Sequence, residues 1–514
     1  MTQSLNKIVI VGGGTAGWIT AALLAAEHRA RAVNVTLIES PDIPTIGVGE
    51  GTWPSMRMTL QKIGLPEADL IRDSEASFKQ GTRFVDWATG AGDQYYHPFS
   101  LPLEYSSLNL AEFWLADCAG TDFSEFVTPQ AGVISEGLAP KQVNTPQYAF
   151  NVNYGYHFDA GKFATQLHRH AVDNLGVNFV SANVRQIERD KERDNDIAAV
   201  ILDSGERIAG DLFIDCTGQR AMLIGQHLGV GLKPLNDVLF NDRAIAVQVP
   251  YERDDSPINS TTHSTAQAAG WVWDIGLQTR RGIGYVHSSA HADEETAMET
   301  LAGYISTVSP ATDVGSLSFR TILFAAGHRE SFWVGNCVAV GLSAGFVEPL
   351  EASAIALIEQ SAAMISQQLP QDREIMSVVA RRFNEKMGYH WEKIVEFLKL
   401  HYVLSQRDDS DYWRECRNRE HWPVNLRDNL MLWEQQPPWH DDAPRVDELF
   451  PSASYQYVLY GMGFRPRYQD PTRTGNPAAR ARVESVQNAL RQRTREFTKG
   501  LPSNRQLIDA LVQS

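Results

Sequence analysis

Three glycines, Gly12, Gly14 and Gly17, follow directly on the apolar run Lys7-Ile8-Val9-Ile10-Val11. That spacing suits the cradling of a pyrophosphate. Gly12 permits a tight turn, Gly14 lets backbone approach the phosphates, and Gly17 lets helix and strand pack closely. The N-terminus of the helix that follows favours the phosphate charge. Glu39 stands about 20 residues further on, at the end of the next β-branched run, where a carboxylate accepts hydrogen bonds from a ribose. Strand, glycine turn, helix and acidic partner together predict an adenine dinucleotide. The loop alone does not choose between FAD and NAD. Two later stretches favour FAD: the strand and small-residue turn Leu212 to Gly218, and the strand, glycine turn and helix start from Val338 to Glu351. A helix beginning there aims its positive end at a flavin ring or a bound anion.

Around these residues the pattern predicts strands over 7–11 and 33–38 with a helix from about Trp18 to His28 between them. It predicts a strand over 154–158, a helix over 160–175, and a hairpin 198–202/206–209 around Asp203-Ser204-Gly205. Strands over 212–215, 333–335 and 337–340 follow, then a helix from about Ala352 to Gln368. Residues 373–435 read as helical and rich in aromatics. Asn476-Pro477 reads as an N-cap with proline in the first turn of a helix reaching about Lys499.

The chain has 46 basic and 62 acidic side chains and a formal charge of −16. That balance argues against a nucleic-acid face or an anionic membrane surface as partner. No stretch has the length of a membrane span, and residues 1–7 lack the pattern of a signal peptide. The four cysteines, Cys118, Cys216, Cys337 and Cys416, form no CxxC pair, so neither a zinc site nor structural disulfides are expected. A cytoplasmic location is the expectation.

Several motifs resemble the flavin-dependent halogenases of the tryptophan halogenase family. They are Gly12-Gly13-Gly14-Thr15-Ala16-Gly17-Trp18, Gly47-Val48-Gly49-Glu50-Gly51-Thr52, Phe78-Lys79-Gln80-Gly81 followed by Phe84-Val85-Asp86-Trp87, and Gly345-Phe346-Val347-Glu348-Pro349-Leu350-Glu351. Gly270-Trp271-Val272-Trp273-Asp274-Ile275 adds a WxWxI block. The likeness runs from the first strand to about residue 465. It implies an α/β fold, with a Rossmann-like FAD module of the flavin monooxygenase type, an interleaved sheet and a largely helical substrate-binding C-terminal module. The expected FAD-binding module takes 1–75, 150–225 and 330–370; the substrate-facing module takes 76–149, 226–329 and 371–514.

The resemblance also implies the chemistry. Reduced FAD (FADH2) and O2 turn chloride or bromide into hypohalous acid, which travels inside the protein to an aromatic substrate. Lys79 would receive it, as an ammonium that hydrogen-bonds and polarises the oxidant or as an amine that forms a haloamine; burial in general disfavours the charged form. Glu351 would stabilise the arenium intermediate or take its proton, with Glu348 a competitor. Cofactor contacts fall on Gly12, Gly14, Thr15, Ala16, Gly17, Glu39, Gly49, Glu50 and Leu342. Ser353 and Ala354 would offer backbone amides to halide. Trp271 and Trp273 would shield the flavin from direct attack by substrate. Phe99 and Tyr455 are candidates to stack on an indole, whether tryptophan, free indole or a derivative. Two departures from the family stand out: Gly276 replaces a proline after WxWxI, and Ala352-Ser353-Ala354 replaces Ser-Thr-Gly. Chloride or bromide preference, ring position and assembly stay open, a homodimer being one option. No second nucleotide loop for NADH is found, so a separate NADH-dependent flavin reductase is the expected partner. The competing readings are an FAD-dependent aromatic monooxygenase of the same fold and a flavin-binding protein without activity.

Overall fold

The computed structural model describes residues 5–31, 33–43, 49–118, 120–467 and 471–513. Gly47 and Val48 of the expected flavin strap, and the first four residues, lie outside these. The chain forms two compact units. One comprises Met1–Glu75, Phe158–Asn236 and Ala325–Glu392; the other comprises Ala76–His157, Asp237–Phe324 and Lys393–Ser514.

The main sheet of the first unit runs in the order Trp333–Val334, Cys337–Ala339, Leu212–Asp215, Lys7–Val11, Asn34–Glu39 and Asn178–Ser181. Every pairing is parallel except that of the edge strand Trp333–Val334. Ile8 to Val11 are all buried, as continuous apolar runs of parallel sheets are, because both faces are covered. Helix Thr15–Glu27 begins three residues before the expected start. The Gly14 carbonyl already accepts the Trp18 amide at 3.1 Å, so the glycine turn passes into helix without a gap. The expected hairpin is present as Ile197–Leu202 with Arg207–Ala209, and Val184–Arg189 adds a third antiparallel strand.

The second unit is built on a seven-stranded sheet in the order Arg320–Leu323, Arg243–Pro250, Arg280–His287, Gly270–Gly276, Thr262–Gln267, Gly81–Val85 and Gln94–Pro98. Only the Thr262–Gln267/Gly81–Val85 pairing is parallel. Helix Glu294–Val308 covers one face, packing Ala297, Leu301 and Ile305 on Val247, Val272, Ile283 and Tyr285. The Gly270–Gly276 strand therefore turns Val272 and Asp274 toward that helix, and Trp271 and Trp273 to the other face. Asp274 is buried in an ion pair with Arg281, and Tyr304 of the covering helix donates to it at 2.9 Å. Residues 373–435 are helical at Met376–Leu404, Asp411–Cys416 and Val424–Trp433. Asn476 caps helix Pro477–Gly500, its side chain accepting the Ala478 amide at 2.9 Å.

One contact in this sheet is demanding. A Cβ on Gly284 would lie 2.1 Å from the Trp273 ring, so the indole lies across the bare backbone of the neighbouring strand. Gly284→Ala forces the ring or the strand aside. It should lower unfolding free energy by about 2 kcal/mol, measured by urea denaturation; an unchanged midpoint would remove this account of the WxWxI packing.

Candidate active site

Three turns meet at the carboxyl ends of the parallel strands in the first unit, the place where doubly wound sheets bind ligands. A Cβ on Gly17 would lie 1.9 Å from the Gly12 carbonyl oxygen, and one on Gly12 would lie 2.1 Å from the Cys216 carbonyl oxygen. Gly12 also has φ +114°, closed to ordinary side chains. Gly14, by contrast, has nothing within 4 Å of its absent Cβ, so bare backbone fronts open space, as close approach of a pyrophosphate requires. Gly341, with φ +73°, brings the third turn within reach of the loop: its Cβ would stand 2.7 Å from that of Ala16. Leu342 follows in that turn, Gly341–Ser343. The Glu39 carboxyl lies against Gly13. Burial pushes it above the usual carboxylate range, opposed by His168 and by a hydrogen bond from Trp18. Ribose hydroxyls would relieve that desolvation by donating to it. These residues fit an adenine dinucleotide.

Asp215 is the residue on which the turn at Cys216 depends, and no motif marks it. Its carboxylate accepts Thr217 N at 3.0 Å, Thr217 Oγ1 at 2.6 Å, Leu223 N at 2.8 Å and Ile224 N at 2.9 Å, shaping the backbone that closes on Gly12. The signal was an acid ending an apolar strand. Glu50 lies in strand Gly49–Gly51. Burial, with the nearby Asp159 carboxylate second, pushes it up to about 7.

The expected helix from Ala352 begins at Ser353, because Glu351 (φ +64°) and Ala352 (φ +55°) are both left-handed. Two such residues in a row cost about 1–3 kcal/mol each. The Trp53 indole N–H helps hold the turn by donating to the Glu351 carbonyl at 2.7 Å. The left-handed angles end at Ala352, and Ser353 has ordinary helical angles. Ser353 and Ala354 carry amides of the first helical turn, which have no intrahelical acceptor. The Glu351 side chain is buried.

In the second unit, Lys79 ends the short strand Ser77–Lys79, paired antiparallel with Gly155–Asp159 in the register Ser77↔His157 and Lys79↔Gly155. Neighbouring groups fix this strand: Ser77 Oγ donates to the Gly276 carbonyl at 2.6 Å, and Gln80 N donates to the Ser260 carbonyl at 2.6 Å. Gly276, where the resemblance led to an expectation of proline, joins the tryptophan strand to the lysine strand through that carbonyl. Lys79 is 1% exposed, with its Nζ 5.5 Å from the centroid of the Phe99 ring. Burial first, then the Lys79 charge, holds His157 well below the usual imidazole range. Trp271 and Trp273 are buried; the Trp271 ring lies 6.4 Å from that of Trp87. Tyr455 is buried as well, edge-on to Phe397 at 5.1 Å and tilted on Trp433 at 5.2 Å, so it is part of an aromatic cluster. Among the described residues no group of His, Cys, Asp and Glu is arranged to hold a metal, and no helix is long and apolar enough to cross a membrane.

A family model described as tryptophan halogenase matches residues 7–477. The chain is 30% identical to tryptophan 7-halogenase RebH of Lentzea aerocolonigenes, covering 98% of each, and 32% identical to tryptophan 6-halogenase SttH of Streptomyces toxytricini, covering 100% of this chain and 99% of that one. A crystal structure of a tryptophan halogenase from Shewanella frigidimarina superposes with a TM-score of 0.95 at 47% identity, covering 99% of this chain and 98% of that one. Turns shaped for a dinucleotide and a lysine buried beside an aromatic ring therefore lie in a chain that belongs to the tryptophan halogenase family. The protein is an enzyme of that flavin-dependent group of oxidoreductases.

Glu359, on the helix that follows Glu351, supplies a pH test. Burial pushes its carboxyl up to about 7, although Ser55 and Thr59 donate to it at 2.9 and 2.5 Å. The folded chain therefore keeps a proton that the unfolded chain loses above its ordinary value of 4.5, and stability falls as pH rises through that window. Glu359→Gln removes the titration. Between pH 5 and 8 the parent should lose up to about 3 kcal/mol more than the variant, read by denaturant unfolding at each pH; parallel curves would contradict it.

Proposed function

We propose that this enzyme halogenates an electron-rich aromatic, an indole such as tryptophan, free indole or a derivative, using chloride or bromide, O2 and reduced FAD. Bound as FADH2, the cofactor supplies two electrons to O2, so that halide leaves as hypohalous acid and the second oxygen atom leaves as water. We assign the flavin to the first unit and the aromatic substrate to the second. Gly12, Gly14, Thr15, Ala16 and Gly17 would hold the pyrophosphate, Glu39 the ribose, Gly49, Glu50 and Leu342 further parts of the cofactor. Ser353 and Ala354 would seat halide on their amides.

The observation that carries this reading is Lys79: an amine almost wholly removed from water, with an aromatic ring beside it. There it can bind and polarise hypohalous acid, or take the halogen as a haloamine, without competition from bulk solvent. Phe99, half-buried and next to the amine, suits stacking on an indole better than Tyr455, which is buried in the aromatic cluster. Glu351 would hold positive charge on the ring or accept its proton. Trp271 and Trp273, buried in mid-strand, would keep substrate from the flavin. A separate NADH-dependent flavin reductase would supply FADH2.

Lys79→Ala should retain FAD and lose halogenated product by at least about 100-fold, with flavin reductase, bromide or chloride, and indole or tryptophan present and product read by mass spectrometry. Full yield from the variant would sink the assignment. A parent product gaining oxygen without a halogen isotope doublet would instead make the enzyme a monooxygenase.

A further inference from the structure

We propose that Gln130 is a positioning residue for halogenation, holding the Phe99 ring beside Lys79 through a buried clamp of side-chain amides. This rests on the roles given above to Lys79 and Phe99.

The clamp starts at the residue after the lysine. The Gln80 carbonyl accepts the Phe99 amide at 3.0 Å. Gln130, wholly buried like Gln80, accepts the amide of Ser100 on Oε1 at 2.7 Å. Its Nε2 donates to the Asn153 carbonyl at 2.6 Å and to Gln80 Oε1 at 3.3 Å. Asn153 closes the circuit, its Nδ2 donating to the Phe99 carbonyl at 3.0 Å. Phe99 is thus held at its own amide, its own carbonyl and the amide that follows, and Gln130 bonds the loop at Ser100 and both of the residues, Gln80 and Asn153, that hold Phe99 itself.

The amide of Gln130 cannot be reversed. The Ser100 N–H only donates and the Asn153 carbonyl only accepts, so the oxygen and nitrogen of the side chain have one arrangement. A glutamate of the same shape places an oxygen against the Asn153 carbonyl, with no hydrogen to offer once ionised. A methionine keeps the length and loses all three bonds. Buried polar groups left unpaired are costly, so either change frees the loop that carries the ring. Gln80, Gln130 and Asn153 are not among the residues given above to halide or cofactor, so the clamp has no part in formation of the oxidant. Its effect falls on where the oxidant goes. A displacement of about 1 Å at a reacting centre is enough to cost two orders of magnitude.

The test uses the full chain with FAD, a flavin reductase, bromide and indole or tryptophan, plus a soluble trap for free hypohalous acid. Gln130→Met and Gln130→Glu should oxidise flavin at the parent rate. The share of halogen on the aromatic should fall about tenfold, with a matching rise in trapped oxidant and a higher KM for the aromatic. Crystal structures should show the Phe99 ring beside Lys79 in the parent and displaced in Gln130→Met. An unchanged partition between product and trap, or a Phe99 ring that stays in place, overturns the proposal. So does failure of both variants to fold, which would assign the clamp to folding alone. A parent that yields no halogenated aromatic would instead overturn the function on which the clamp rests, while the crystal comparison still tests the clamp itself.

Discussion

Removing an ammonium from water sacrifices hydration that no single contact replaces. Lys79 is nonetheless buried, and much of the surrounding second unit can be understood as support for that one amine. The Ser77–Lys79 strand has only three residues, too few to be stable by itself. Ser77 and Gln80 tie it to the carbonyls of Gly276 and Ser260. Phe99 offers a π face to the amine, a partner for positive charge that does not readmit water. His157 stays neutral, in part because the lysine is there. A buried amine with these neighbours is suited to handling a small polar oxidant.

The first unit answers a different constraint: three turns must bring backbone close to backbone. Gly12, Gly17 and Gly341 allow this because a side chain on any of them would collide with a carbonyl oxygen or with the Ala16 methyl group. Asp215 supplies the hydrogen bonds that keep the middle turn from relaxing. The left-handed pair Glu351 and Ala352 makes a further turn, at the start of helix Ser353–Gln367, where strain is held by the indole of Trp53. Strain of this kind persists where the surroundings over-determine it, and it gathers at functional sites.

Much of this was legible in the residues themselves. The GxGxxG loop with Glu39 predicted its strand, helix and parallel partner, because a pyrophosphate cradle needs bare backbone at fixed spacing and only glycine provides it. The Asn476-Pro477 cap was equally local. The lysine block, WxWxI and Glu351 carried the family. What the sequence by itself determined were the features set by a residue's own chemistry or by neighbours within one turn. Tertiary structure decided the rest. The start of the helix after Glu351 moved because two non-glycine residues adopted left-handed angles that only their surroundings impose. Tyr455 joined an aromatic cluster with residues from elsewhere in the chain. The amide circuit of Gln80, Gln130 and Asn153 joins positions up to 73 residues apart, and a glutamine carries no periodicity or motif by which to find it. Its hydrogen bonds exist only once the loops have met, which is why no reading of the linear chain could single it out.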